Sequence, residues 1–280
     1  MNEQLFPGKH FISTVLDALE TKHQMSGLMT RRYLQRAGMA GLIIGLMYLT
    51  NFAVVAVFVD LKLEGTALTG VGKLLGALVF GFALVFIYYT KSELLTSNMM
   101  IVSIGAYHHG TSWRRALRLL GLCYLGNFLG GLVIAVLVYF SSLLDGNALK
   151  LVNAAVAHKL EYVASGPTGW GDLFVRAILC NFLINLAMLL VYNGLIHDDL
   201  TKCLAMIMSV FIFAFVGLEH SVANTVLFTI VGLKEGLDVG AAAANVLIAL
   251  IGNYIGGGVL IGFYYAYVND DRALKSTSNL

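Results

Sequence analysis

Glu219 and His220 lie inside Gly217-Leu218-Glu219-His220-Ser221-Val222-Ala223-Asn224, a polar interruption between the apolar runs Cys203–Val216 and Val226–Leu233. An acid and an imidazole in the middle of an apolar segment are costly, and the default reading is that they serve a function. An imidazole titrates at about pH 6.5, so His220 can donate a hydrogen bond or relay a proton. A small carboxylate pressed against apolar side chains tends to neutralise rather than stay charged. A proton donor at that depth would let it cross as the acid. Burial disfavours a resident imidazolium, so relay and simple hydrogen-bond donation both stay open, beside the plainer reading of a histidine satisfied in a core. His10, His23, His108, His109, His158 and His197 fall in expected loops.

The interruption has an echo in Glu93-Leu94-Leu95-Thr96-Ser97-Asn98, where the Glu-to-Asn spacing matches that from Glu219 to Asn224. Gly126-Asn127-Phe128-Leu129-Gly130-Gly131 then follows Glu93 at the interval by which Gly252-Asn253-Tyr254-Ile255-Gly256-Gly257 follows Glu219. Two motifs at matched spacing indicate a duplicated unit. A carboxylate facing an anion path would repel the anion. Glu93 and Glu219 are therefore expected to accept hydrogen bonds from loop N–H groups and hold the interruptions in shape. Thr96 and Ser221 can cap the helix starts that follow, each of which presents about half a positive charge.

The elements that position these residues must lie in a membrane. Hydrophobic residues make up 58% of the 280-residue chain and charged ones 12%, with a mean hydropathy of +0.80. That is too apolar for a soluble domain. No basic stripe with interleaved aromatics suggests nucleic acid, and Cys123, Cys180 and Cys203 show neither metal-ligand nor disulfide spacing. No metal or cofactor is implied.

Residues 1–35 carry an amphipathic helix over Pro7–Tyr33, lying on the membrane surface or packed on a neighbouring loop. Residues 36–268 hold crossings of roughly 20 residues each: Ala37–Phe58, Val71–Tyr89, Leu119–Leu144, Leu173–Tyr192, Cys203–Ile230 and Ala241–Val268. Residues 269–280 form a tail. The fold class is all-α integral membrane, six transmembrane helices in an inverted repeat of three plus three, because successive copies of three crossings must face opposite ways. The second and fifth helices are broken. Basic residues gather on one side (Arg31, Arg32, Arg36, Arg114, Arg115, Arg118, Arg272 and Lys275 among them), which places both termini in the cytoplasm.

These residues resemble the formate/nitrite transporter family over nearly the whole chain, through the Glu93–Ser97, Gly217–Asn224 and Gly252–Gly258 stretches. The resemblance implies an aquaporin-like homopentamer with one pore per subunit in the cytoplasmic membrane. It implies conduction of formate, nitrite, hydrosulfide, lactate or acetate, as anions or proton-coupled as acids. It matches Leu94, Leu95 and Thr96 to a flexible loop at a constriction. Phe80, Leu84 and Phe213 match apolar constriction positions, and His220 the central histidine, with Thr96 opposite. Asn181 and Asn224 match nearby polar positions, and Lys159 a vestibule lysine whose plainer reading is an ordinary loop lysine. This chain departs from the pattern at Leu95 and Leu218, where Phe is common and the constriction is expected to widen. It departs again at Lys91, where small residues are usual, and at the turn Ser165-Gly166-Pro167-Thr168-Gly169.

The leading reading is a channel or carrier for formate and related small monocarboxylates, with lactate, nitrite or hydrosulfide as alternatives. An aquaporin-like neutral-solute pore shares the broken-helix plan but usually carries paired Asn-Pro-Ala breaks, absent here. An enzyme is not expected, because Glu219 and His220, adjacent on a helix, point apart.

Overall fold

The computed structural model describes residues 4–272; Lys275 and most of the expected tail lie outside them. Helix α1 (Lys9–Leu28) turns at Met29 into α2 (Thr30–Phe58). A short hairpin of β1 (Lys62–Leu63) and β2 (Thr66–Ala67) leads to α3 (Thr69–Phe80), α4 (Phe82–Tyr89) and, after a gap, α5 (Leu95–Tyr107). Then come α6 (Trp113–Tyr139), α7 (Gly146–Ala164), α8 (Gly166–Tyr192), α9 (Asp199–Val216) and, after a second gap, α10 (Ser221–Lys234). Helix α11 (Val239–Asn253) continues through a wide-turned π segment, Tyr254–Phe263, into α12 (Tyr264–Val268).

Among the described residues, six helical stretches are long and apolar enough to cross a bilayer: Thr30–Phe58, Thr69–Tyr89, Trp113–Tyr139, Gly166–Tyr192, Asp199–Val216 and Val239–Val268. Their outward faces carry large apolar side chains such as Leu46, Leu125, Leu137 and Leu247. A hydrocarbon solvent accepts such a surface and water does not. The chain is a multi-pass membrane protein.

Several expectations need correction. The helix that carries the first crossing begins at Thr30, upstream of Ala37, because Arg31, Arg32 and Arg36 extend it without a Gly or Pro to stop it. The apolar face of α1 (Phe11, Val15 and Leu19) is buried on the protein, chiefly against α5 and α2, and does not lie on lipid. Helix α7 precedes the fourth crossing, so His158 and Lys159 are helical, as are His10 and His23 on α1. The Ser165–Gly169 turn is the α7–α8 junction, where Gly166 takes a φ of +66° and Pro167 starts the next helix.

The long helices approach closely through small residues. A side chain on Gly126 would come within 2.9 Å of the Leu34 carbonyl oxygen, and one on Gly252 within 2.7 Å of that of Phe174. These matched contacts seat α6 on α2 and α11 on α8, as small residues do in membrane interiors.

Candidate functional site

Each gap is a few extended residues whose backbone groups need partners where water is excluded. An asparagine from the following crossing supplies them. Asn127 Nδ2 donates to the carbonyl oxygens of Ala37 and Glu93 at 2.8 Å, and its Oδ1 accepts from Leu95 N at 3.1 Å. Asn253 repeats the arrangement: Nδ2 donates to the Ala177 and Glu219 carbonyl oxygens at 2.8 and 3.0 Å, and Oδ1 accepts from Ser221 N at 2.9 Å. Glu93 N donates to Arg36 O at 3.2 Å and Glu219 N to Arg176 O at 3.5 Å. The sequence repeat is thus a repeat of hydrogen bonds.

The carboxylates do other work than expected. Glu93 Oε2 accepts from Asn98 Nδ2 at 3.1 Å and pairs with Lys22 on α1. Glu219 Oε2 accepts from Asn224 Nδ2 at 2.6 Å, and both of its oxygens accept from Lys159 Nζ at 2.8 Å. Side chains, not loop N–H groups, satisfy them. Lys159 is consequently no free vestibule cation: its charge is spent on Glu219, with both side chains nearly inaccessible. Asn245 extends this cluster, accepting from Asn224 Nδ2 at 2.9 Å and donating to Lys159 O at 2.8 Å.

Helix α10 is capped by His220 itself, whose Nδ1 accepts from Ala223 N at 3.1 Å. An Nδ1 that accepts carries no proton, so in the neutral ring the proton sits on Nε2. Nε2 lies 3.0 Å from Thr96 Oγ1, and the N–H donates to that oxygen. The expected hydroxyl caps are therefore absent. Thr96 spends its hydroxyl on His220, Leu94 caps α5 without a side-chain bond, and Ser221 Oγ is buried without a partner among the described residues. Asn181 donates to Thr96 O at 3.2 Å and Asn253 O at 2.7 Å, and Asn185 donates to Thr96 O at 3.1 Å. These two fix the Thr96 backbone from α8.

A cavity of about 20 Å³ lies beside the ring, room for about one water. Phe80, Leu84, Leu94, Phe213 and His220 line it, together with Ile44, Ala83, Ile87, Ile184, Val210 and Ala223, which the sequence did not single out. His220 is the one titratable group in this wall among the described residues. The Phe213 ring lies 6.0 Å from the imidazole, centre to centre, and as far from Phe80. A larger vestibule of about 300 Å³ adjoins it, lined by Lys22, Arg36, Tyr88, Lys91, Ser97 and Asn98, among others. Leu84, Ile87 and Leu94 border both spaces and form the partition between them.

Thr96 reaches the cavity only through His220, while Asn181, Asn224 and Lys159 stand behind it as supports. Leu95 is buried and lines neither space, and Leu218 packs against the core. The expected widening at these two leucines is not where the passage is narrow. Sequence reasoning missed Asn127, Asn253 and Lys22. The two asparagines were visible as repeated letters beside the glycines. Nothing local marked Lys22, which reaches Glu93 from a separate helix.

A family described as Formate/nitrite transporter matches residues 9–267. A Haemophilus influenzae relative, "Formate channel FocA", is 28% identical over 225 residues, 71% of this chain and 75% of its own. An Escherichia coli relative, "Nitrite transporter NirC", is 28% identical over 195 residues, 67% of this chain and 68% of its own. Among solved structures, an "FNT family ion channel" superposes with a TM-score of 0.79 at 25% identity, covering 93% of this chain and 99% of that one. A "Pentameric formate channel with formate bound" superposes with a TM-score of 0.67 at 24% identity, covering 85% and 96%.

Proposed function

Because this chain belongs to the formate/nitrite transporter family, whose members are transporters and channels rather than enzymes, we propose that it passes formate and related small monocarboxylates across the cytoplasmic membrane. Both termini face the cytoplasm in this reading, as the basic loops favour. The observation that carries it is the apolar cavity with a single titratable group in its wall, His220, whose Nε2–H is held ready by the Nδ1 cap.

An anion reaching Leu84, Ile87 and Leu94 must shed its water against aliphatic carbon, at a cost that an isolated charge avoids by taking a proton. The substrate gathers in the vestibule as the anion, crosses the partition as the acid, and meets the His220 N–H as a hydrogen-bond donor in place of Thr96. Anion conduction past the same donor is the competing route, and it predicts currents that follow voltage. Nitrite and hydrosulfide meet the same chemistry. A pore for neutral solutes predicts water or glycerol flux indifferent to pH.

The assembly proposed is a homopentamer. An apolar groove of about 780 Å³ along α6, α10 and α11, with Tyr124, Phe128, Phe228 and Leu247 in its walls, is surface for a second copy to cover. The superposable pentameric channel supports that state. The experiment that tests the function is uptake of labelled formate, lactate and nitrite into proteoliposomes over a range of pH, wild type beside His220→Asn. Electroneutral formate uptake driven by a proton gradient and weakened in the variant supports the reading. Unchanged acid uptake in the variant rules out the part given to His220, and no formate uptake in the wild type rules out the function.

A further inference from the structure

The vestibule beside the first gap holds a residue that its own repeat argues against. Helix α4 ends with Ser92 N donating to Ile87 O at 3.0 Å and Lys91 N to Tyr88 O at 3.1 Å. That paired closure turns the chain through a left-handed residue, most cheaply a glycine. In the second half the residue two before the glutamate is Gly217, at φ +77°. In the first half the corresponding residue is Lys91, at φ +55°. A lysine there is strained with no gain to the turn, so the reason for it lies in its side chain. Its ammonium sits 4.8 Å from the Tyr88 ring centre, and both residues line the vestibule.

The surrounding charges break the symmetry in the same sense. Lys22 is spent on Glu93 as Lys159 is on Glu219. Arg176 is paired with Asp172 at 2.8 Å and donates to Gly217 O at 3.1 Å. Its counterpart Arg36 touches no carboxylate among the described residues and reaches only Met25 Sδ, at 3.0 Å. Lys91 likewise has no carboxylate within ion-pair distance among the described residues. The first vestibule therefore carries two uncompensated cations, Arg36 and Lys91, where the corresponding positions at the second gap are a paired arginine and a glycine. A cavity on the α3, α7 and α9 side is lined by a single charge, Lys73.

We propose that Lys91 and Arg36 form an anion-capture site for small monovalent carboxylates in the vestibule beside the first gap, which makes entry from that side easier than from the other. The proposal rests on the reading that the permeating species arrives as an anion. Two fixed cations at the mouth of a low-dielectric passage raise the local anion concentration and suffer salt screening as they do so.

The first test needs no transport. In a Cys203→Ser background, Ser97→Cys places a thiol in the vestibule wall, and its modification rates by an anionic and a cationic methanethiosulfonate are compared. Lys91→Gly, which also relieves the turn, should lower the anionic-to-cationic rate ratio by about tenfold, and Lys91→Arg should keep it. An unchanged ratio in Lys91→Gly overturns the capture site, whatever the channel passes. In oriented proteoliposomes, Lys91→Gly should raise the half-saturating formate concentration about fivefold from the α1 side and leave the opposite side unmoved. An equal shift from both sides, or none, also overturns it. Absence of formate flux in the wild type would instead count against the proposed function, a failure the modification ratio keeps separate.

Discussion

Thr96 Oγ1 and His220 Nε2 stand 3.0 Å apart although 124 residues separate them in the chain. Each belongs to the helix start behind one of the two gaps, so this bond is where the halves of the repeat meet. Because Nδ1 is occupied by Ala223 N, the ring is oriented and its tautomer fixed before any substrate arrives. A carboxyl oxygen entering the cavity competes with Thr96 for one N–H, and removing that N–H can be separated from removing the cap.

His220→Asn keeps an acceptor for Ala223 N, since Asn is among the best capping residues, but takes away the Nε2–H. The variant keeps the cap but strands the buried Thr96 hydroxyl, so it should lose about 1–3 kcal/mol of stability, while gradient-driven formate uptake falls roughly tenfold or more. His220→Leu removes both, and should lose a further 0.5–2 kcal/mol or so of thermal stability. Uptake against pH, read beside detergent-solubilised melting curves, distinguishes the two variants. Equal uptake in wild type and His220→Asn would leave the imidazole a cap and nothing else.

The partition makes a separate prediction about size. The cavity beside His220 holds about one water at roughly 20 Å³, so formate must push side chains aside and lactate must push further. Leu94→Ala and Phe213→Ala should each raise lactate flux more than formate flux. The expected stability cost is about 2–5 kcal/mol, as for other buried large-to-small changes. Paired uptake of the two acids checks this. A uniform rise in both would place the narrow point elsewhere.

The spans, the matched Glu and Asn motifs and a buried histidine at a helix start were legible because hydrophobic length, matched intervals and a polar break are local properties of the string. What His220, Glu219 and Glu93 bond to was not. The carboxylates looked free to accept loop N–H groups, but Asn127 and Asn253 had already taken those donors from other helices. Asn98 and Asn224, at the matched spacing, do reach the two carboxylates, but the cations on them are Lys22 and Lys159, which no spacing rule connects to them. Lys159 read as a loop residue because α7 lacks the continuous apolar run of a crossing, and its burial arises from the fold around it.

His23, on α1 outside the crossings, gives a pH prediction. Its pKa is lowered, first by burial and then by the Arg115 guanidinium, with Glu20 opposing; Arg118 borders the same crevice. A histidine that is harder to protonate in the folded state binds more protons when released. Docking of α1 is therefore at full strength above the unfolded value of about 6.5, and weakens as pH falls below it. Proteolysis within α1 should accelerate on acidification in wild type and much less in His23→Gln. The same acid response in both would exonerate this residue.

The two asparagines should be worth the same. Each satisfies three backbone groups that have no water to turn to, and an unsatisfied buried group costs about 1–3 kcal/mol. Asn127→Ala and Asn253→Ala should each lower stability by about 3 kcal/mol or more, with losses that agree between them. A large loss for one and none for the other, in melting curves, would mean that only one gap depends on its staple.

The Lys159–Glu219 pair tests whether charge or shape keeps these residues. Both side chains are deeply buried, 12% and 3% exposed, so removing one partner strands the other without water. The expected cost of Lys159→Met alone is about 3–5 kcal/mol. Glu219→Gln keeps an oxygen for Asn224 Nδ2 but strands the lysine, and should cost a similar amount. The double variant Lys159→Met/Glu219→Gln buries no net charge and retains the Asn224 contact, so most of the loss should return, as replacement of buried ion pairs often shows. If the double variant keeps its stability and passes formate at the wild-type rate, the pair serves to hold the second gap. If stability returns but uptake does not, the ammonium acts on the permeating anion even while bound to Glu219. A double variant as unstable as either single one would deny that the two charges compensate each other at all.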